Sequence, residues 1–536
     1  MNDQLKTELS TWERSTTRRF FRWLFSWRGI RRILIVLAWT VTILGLFYGE
    51  EDWRGRHTWN QYRQAAEARG LSLDWSTYIP KPVPDDQNFA ATPFLKTFLQ
   101  TNPFILTNDL YQRADNNVFA TNIAKYKGRR HFTDLVAWQL AAAALQNGEL
   151  KRQQQFETEI TDLAARAAAA PVVLEGMKSD AAVFAELRAA SNREHSHFAV
   201  AYDLENPWAI NLQHLAKIKQ TVQRLNLEAC SELAAGQSDQ ALADVKLILS
   251  LADSIKSEPI LVSYLVRLAC VHIAIQPVWE GLAEQRWTDA QLQELQARFL
   301  SFDFLADLQQ SLQADRAFGT LTADLISKKG IAYVADTWSP DNNQDPFSKF
   351  FFYVVGKATP SGWYDREKIN YNKLFDAEFE GVVDLVAKTV SPHKKVLNAD
   401  VVDRQAFGNS WEGPTLHAIL HHHLMARQLL PALRNVPAKA ATAQTAASQA
   451  VLACALERCR LANGQFPETL TALTPQFIAH PPNDVITGQP FKYRRTDDGQ
   501  FLLYSVGWNE KDDGGVPGKT LFDLTQGDWV WSYPAK

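Results

Sequence analysis

The chain has 536 residues, enough at roughly 150 per domain for three or four units. Its 56 Lys+Arg against 59 Asp+Glu leave a net charge of -3, which argues against a nucleic-acid partner, and 46% hydrophobic with 21% charged residues excludes a mostly disordered chain. Four cysteines are too few for a disulfide scaffold.

Charge is uneven along the chain. Residues 1–32 hold eight Lys and Arg against three acids, a net +5, so the rest carries -8. The 17 residues Ile33–Gly49, ILIVLAWTVTILGLFYG, then run without a charge. As a helix they rise roughly 26 Å, close to a bilayer core of about 30 Å, with Arg31 and Arg32 placed to snorkel across the difference. Basic residues precede the run, and Glu50, Glu51 and Asp52 follow it. This predicts an uncleaved signal anchor, 33–49, in the inner (cytoplasmic) membrane, single-pass, with 1–32 cytoplasmic and the body periplasmic. No A-x-A-like cleavage site follows the run. Arg18–Arg32 mixes aromatic and basic side chains, so the lipid bilayer is the one partner that charge indicates.

Residues 50–104 read as a juxtamembrane helix, a turn at Gly70 and a Pro-rich stretch in which Pro80, Pro82 and Pro84 alternate. That stretch is either a stiff polyproline spacer or a loop wrapped on the body. Residues 105–310 form a helical body. Leu215, Ile218, Val222, Leu225 and Ala229 make one apolar stripe, and Ala241, Val245, Ile248, Ala252 and Ile255 make another. Pro277 is expected to end the next helix, and Thr288 with Gln291 makes a capping box. Gly236 and Ala241 have the turn spacing of a tetratricopeptide repeat, so antiparallel hairpins in a bundle or solenoid are expected. In the second helical region, 311–438, aromatics gather at Phe347, Phe350–Tyr353, Trp363, Tyr364 and Tyr371, as core or as the lining of an apolar groove.

The period changes from 3.6 to 2 in 439–536. A long helix is followed by the turn NGQFP, and FKYRR and FLLYSV read as strands joined at Asp498-Gly499. An acidic, Gly-rich loop follows. Asn463, Gly464, Phe466, Pro467, Asp484, Gly488, Pro490, Tyr493, Gly499, Asp512, Asp513, Gly514, Gly515, Asp523 and Trp529 carry the pattern. This order resembles the globular part of the type II secretion major pseudopilin, over roughly one sixth of the chain. The resemblance implies calcium as a cofactor, with Asp512, Asp513 and Asp523 as ligands. A pseudopilin's apolar helix leads directly into this module, whereas here it lies far upstream. With its W-x-x-Y-R juxtamembrane helix, its P-x-P-V-P-D-D-Q-N-F stretch and its ending from A-L-E-R to D-D-G-G, the whole chain resembles large membrane-anchored families of planctomycete and verrucomicrobial bacteria, which implies architecture and no activity. The expected fold is mainly α: a transmembrane helix, a helical-hairpin body and a small C-terminal α+β module with an antiparallel hairpin.

Few constellations carry chemistry. His417 and His421 in LHAILHHHLMAR share a helix face at i, i+4, a spacing that can chelate zinc, but HExxH is absent. Ser391-x-x-Lys394 matches a penicillin-binding nucleophile motif without its companions. Cys454 and Cys459 are too far apart on one helix to bond, whereas Cys230 and Cys270 can either pair or stay as buried thiols. The leading expectation is a non-enzymatic membrane-anchored envelope protein whose helical surface binds another envelope protein. The alternatives are a metal-dependent envelope hydrolase at His417 and His421, and a secretion-apparatus component.

Overall fold

The computed structural model describes residues 20, 22–100, 128–150, 156, 158, 162–330, 359–408, 417–418 and 421–534. The helix that begins at Trp27 continues well past the charge-free run. It is one 42-residue helix, α1 (Trp27–Ala68), not an anchor followed by a separate juxtamembrane helix. The reason is local: Glu50-Glu51-Asp52-Trp53-Arg54 contains no breaker, and Arg54 pairs back to Glu50 at 3.4 Å and Glu51 at 2.6 Å. Ser26 caps the N-terminus by accepting from the Gly29 N–H, and Gly70 at φ 78° follows the last turn.

Twelve further helices of ten or more residues follow among the described residues. These are α2 (Leu135–Gln146), α3 (Leu163–Met177), α4 (Ala181–Ala190), α5 (Gln213–Ala234), α6 (Ser238–Asp253), α7 (Leu261–Ala283), α8 (Asp289–Leu300), α9 (Phe304–Lys329), α10 (Ser361–Phe379), α11 (Pro392–Phe407), α12 (Leu424–Leu433) and α13 (Val436–Asn463). A two-stranded pair, β1 (Val383–Asp384) and β2 (Thr389–Val390), precedes α11. A three-stranded antiparallel sheet ends the chain: β3 (Lys492–Arg495), β4 (Phe501–Ser505) and β5 (Trp529–Trp531), with β4 central. The fold is therefore mainly α with a small C-terminal antiparallel sheet, as the periodicity predicts.

Contacts divide the chain into two compact units, Met1–Arg69 with Ala323–Ile369, and Gly70–Thr322 with Asn370–Lys536. Each unit joins two stretches of chain, an arrangement that boundaries drawn in chain order do not anticipate.

In the first unit the apolar stretch of α1 has a mean hydropathy of 1.9 over 18 residues, none of it buried, and is a candidate membrane span. The later turns of the same helix bury Glu51, Gly55, Trp59 and Ala66. Gly55 meets Gly362 backbone to backbone, so a Cβ on either glycine would fall on the opposite chain. The buried Glu51 carboxylate accepts from Trp363 Nε1 at 3.0 Å and pairs with Arg366 at 2.9 Å, and Lys368 Nζ lies 4.3 Å from the centre of the Trp59 ring. Of the expected aromatic cluster, Phe347 and Phe350–Tyr353 lie outside the described residues.

In the second unit the two stripes fold as the hairpin α5–α6, turning at Gly236 (φ 80°). α7 packs on both, and on α13, which also packs on α8; α2 and α3 join through α5. The Thr288–Gln291 capping box forms. Pro277 does not end α7, which runs on to Ala283 with Val278 and Trp279 fully buried. One missing N–H costs less there than exposing that face. α7 has a mean hydropathy of 1.6, but 61% of its most apolar window is buried, so it serves as core. The Pro-rich stretch wraps on the body: Phe89 N–H donates to His195 O at 2.8 Å, and Asn88 Nδ2 to His197 O at 2.8 Å. Tyr371 is buried against Gly319.

All four cysteines are buried and unbonded, so Cys230 and Cys270 are thiols. Burial pushes the Cys270 and Cys454 thiols up to about 12 and raises Cys230 as well. Because the thiolate is the reactive form, maleimide at pH 7.5 is expected to label essentially none of the four in the native chain and all four in denaturant. Rapid native labelling of Cys270 or Cys454 would contradict this burial.

Candidate functional site

The acidic C-terminal loop is built by its own carboxylates. Asp512 Oδ1 accepts from Gly514 N–H at 3.1 Å and from the Tyr504 hydroxyl at 3.0 Å, while Lys492 Nζ lies 3.2 Å from Oδ2. The Gly514 N–H foremost holds this carboxyl below its usual value. Asp523 accepts from Thr525 N–H at 2.8 Å, the Thr525 hydroxyl at 2.7 Å and Lys519 N–H at 2.9 Å, and the Thr525 hydroxyl foremost lowers its pKa. Asp513 accepts from Asn509 Nδ2 at 3.1 Å. Asp528, which sequence reasoning passes over, clamps the loop by accepting from Asp513 N–H at 3.2 Å and Gly515 N–H at 2.6 Å. Asp512 and Asp523 thus each close a local turn, and Asp513 is engaged by a side-chain amide.

The histidines do come together. His421 N–H donates to His417 O at 3.0 Å, and His422 at φ 56° ends the turn so that His423 N–H reaches Ala418 O at 2.9 Å. The ring centres of His417 and His421 are 4.2 Å apart, and His423 stands 6.1 and 6.2 Å from them. Gly408 lies against the His417 ring, leaving no room there for a Cβ. Burial lowers the His423 pKa. His195 and His197 pack instead with Gln87–Phe89.

Two further arrangements settle into structural roles. Ser391 caps α11 by accepting from Lys394 N–H at 3.3 Å, with Pro392 in the first turn, so the S-x-x-K spacing is a helix start. Pro392 therefore opens this helix. Inside the body, Ser263 donates to Glu258, whose other oxygen is 2.8 Å from His214 Nε2. The glutamate separates hydroxyl from ring, whereas a nucleophilic serine needs the base against its own oxygen.

One cluster escapes a reading of the sequence. Among the described residues, the group of His, Cys, Asp or Glu whose ligand atoms all lie within 4.8 Å of one another is Glu228, Glu232 and Asp244. No three of the loop aspartates or of the described histidines reach that spacing together. Glu228 and Glu232 are one turn apart on α5, and Asp244 faces them from α6. Arg188 of α4 donates through Nε to Asp244 Oδ1 at 3.0 Å and lies 3.6 Å from Glu228. Burial foremost, with the neighbouring carboxylates next, holds the Glu228 and Glu232 carboxyls well above their usual value, and burial raises Asp244 as well. A signal is nonetheless present: Glu232 stands three residues after Ala229 and Asp244 three after Ala241, so both acids lie on the apolar faces of their helices.

Comparison with known proteins finds no matching family model, no similar curated protein and no similar solved structure.

Proposed function

We propose that this chain is a single-pass membrane-anchored binding protein of the cell envelope, with residues 1–32 cytoplasmic and the helical body outside the inner membrane, where it engages another envelope protein without catalysing a reaction. One observation carries the anchor: the apolar stretch of α1 is wholly unburied, while the turns that continue it are packed into protein. An apolar helix left bare in this way needs lipid around it. The basic flank before it and the acids after it support the orientation.

The test is carbonate extraction and protease accessibility of the full chain in spheroplasts. The chain is expected in the membrane pellet, with the body digested and the N-terminus protected. Val41→Arg, at the middle of the run, places a charge worth about 2.5–3.5 kcal/mol against insertion and is expected to shift much of the chain to the supernatant, whereas Val41→Leu stays. Extraction of the parent chain, or a protected body, would overturn the anchor or its orientation.

A second reading, a metal-dependent hydrolase at His417 and His421, is favoured by the closeness of their rings. It requires stoichiometric zinc in the purified chain that is lost in His421→Ala.

A further inference from the structure

We infer that Glu228, Glu232 and Asp244 form a binding site for one hard divalent cation between α5 and α6. The two glutamates project from successive turns of one helix, and Asp244 arrives from the other. Asp244 has no exposed surface, and its Oδ2 lacks a hydrogen-bond partner. Glu228 Oε2 and Glu232 Oε2 are buried and unpartnered as well. No donor from outside the cluster satisfies these three oxygens, those of Glu232 and Asp244 meeting only each other, and the ligand atoms lie within 4.8 Å of one another.

Charge points the same way. Arg188 engages Asp244 through Oδ1 and leaves Oδ2 to the cluster. Three ionised carboxylates and one guanidinium leave an excess of two negative charges in a buried place, which either two protons or one divalent cation must neutralise. The neighbouring Asp180 does not alter this balance, because Arg224 pairs with it at 2.9 Å. An all-oxygen donor set selects Mg2+, Mn2+ or Ca2+ over softer metals. Glu228, half-buried with 13% of its side chain exposed, gives the ion a way in.

The experiment is Mn2+ titration of the full chain in detergent after chelation, read by electron paramagnetic resonance and by the melting temperature. One tightly held Mn2+ per chain is expected, with a melting temperature that rises to saturation and competition by Mg2+ or Ca2+. Glu232→Gln is expected to weaken binding roughly tenfold or more, while Asp512→Ala leaves it unchanged and so excludes the C-terminal loop as the source. Glu228→Gln repeats the test should Glu232→Gln fail to fold. Absence of bound Mn2+ in the parent chain, or binding unaltered by both glutamine variants, would overturn the site. A Glu232→Gln chain as stable as its parent, with neither responding to cation, would assign the cluster to shared protons.

Discussion

Replacing Glu280 by alanine is expected to destabilise the helical body by about 3–5 kcal/mol, the usual cost of removing one partner from a buried ion pair. Glu280 on α7 has no exposed surface. One of its oxygens holds Arg166 of α3 at 2.5 Å, and the other accepts from Thr133 N–H and hydroxyl at 2.7 Å each and from Gln276 at 2.8 Å. Arg166 is itself 1% exposed, stacks on Phe132 with 4.6 Å from its guanidinium carbon to the ring centre, and has Glu284 as second carboxylate. Without Glu280 the guanidinium keeps one counter-charge and the Thr133 N–H loses its acceptor. The loss comes from stranding these groups, because the intact pair offsets its own desolvation only in part. Glu280→Gln keeps an acceptor oxygen and is expected to cost less. The double change Arg166→Met with Glu280→Leu removes both charges, but Glu284 then keeps only Arg286 at 3.4 Å and the Thr133 N–H still lacks its acceptor, so it is expected to recover only part of the loss. Hydrogen exchange of the α3 and α7 amides under increasing denaturant is the suitable measurement, since a chain of two compact units has no single unfolding free energy. A loss under 1 kcal/mol in Glu280→Ala, where about 3–5 is the usual cost, would mean that Glu284 alone satisfies Arg166.

Gly55→Leu is expected to loosen residues 361–369 from α1, at a cost of about 3 kcal/mol or more, the upper end for overpacking. The atoms that a Cβ would strike belong to the Gly362 backbone, so no side chain can swing aside. Moving the two segments apart also lengthens the bonds from Gly362 N–H to Asp52 (2.9 Å) and from Trp363 Nε1 to Glu51 (3.0 Å). Faster exchange of the 361–369 amides and a changed Trp363 emission should report it. Gly45→Leu is the control. Nothing in the chain lies within 4 Å of a Cβ there, so its effect should stay within about 0.5 kcal/mol. Exchange at 361–369 left unchanged by Gly55→Leu would refute the close crossing.

Much of the fold could be read locally because its determinants are local. The stripes at Leu215–Ala229 and Ala241–Ile255 mark α5 and α6, Thr288 with Gln291 marks the start of α8, and Asp498-Gly499 marks the β3–β4 turn. Where local rules misled, burial overrode them: Pro277 sits inside α7 because the turns beyond it are core, and α1 continues through Glu50–Arg54 into turns that pack on protein. β5 is three residues long, too short for any period to register, and exists because β4 offers it an edge.

The sites divide along the same line. The neighbourhood of His417 and His421 follows from their spacing on one helical turn. That the loop aspartates would each be taken up by nearby N–H groups depends on turn geometry that a motif does not specify. The charge-free apolar run, the helical periods and the C-terminal change of period were legible in the sequence, because each is set by neighbours a few residues away. Tertiary structure alone decided that Glu228, Glu232, Asp244 and Arg188 meet, that Arg166 has two carboxylates, and that Gly55 touches Gly362. Arg188 and Asp244 stand 56 positions apart along the chain, and Arg166 and Glu280 stand 114 apart. Helix packing, not any local pattern, brings such residues together.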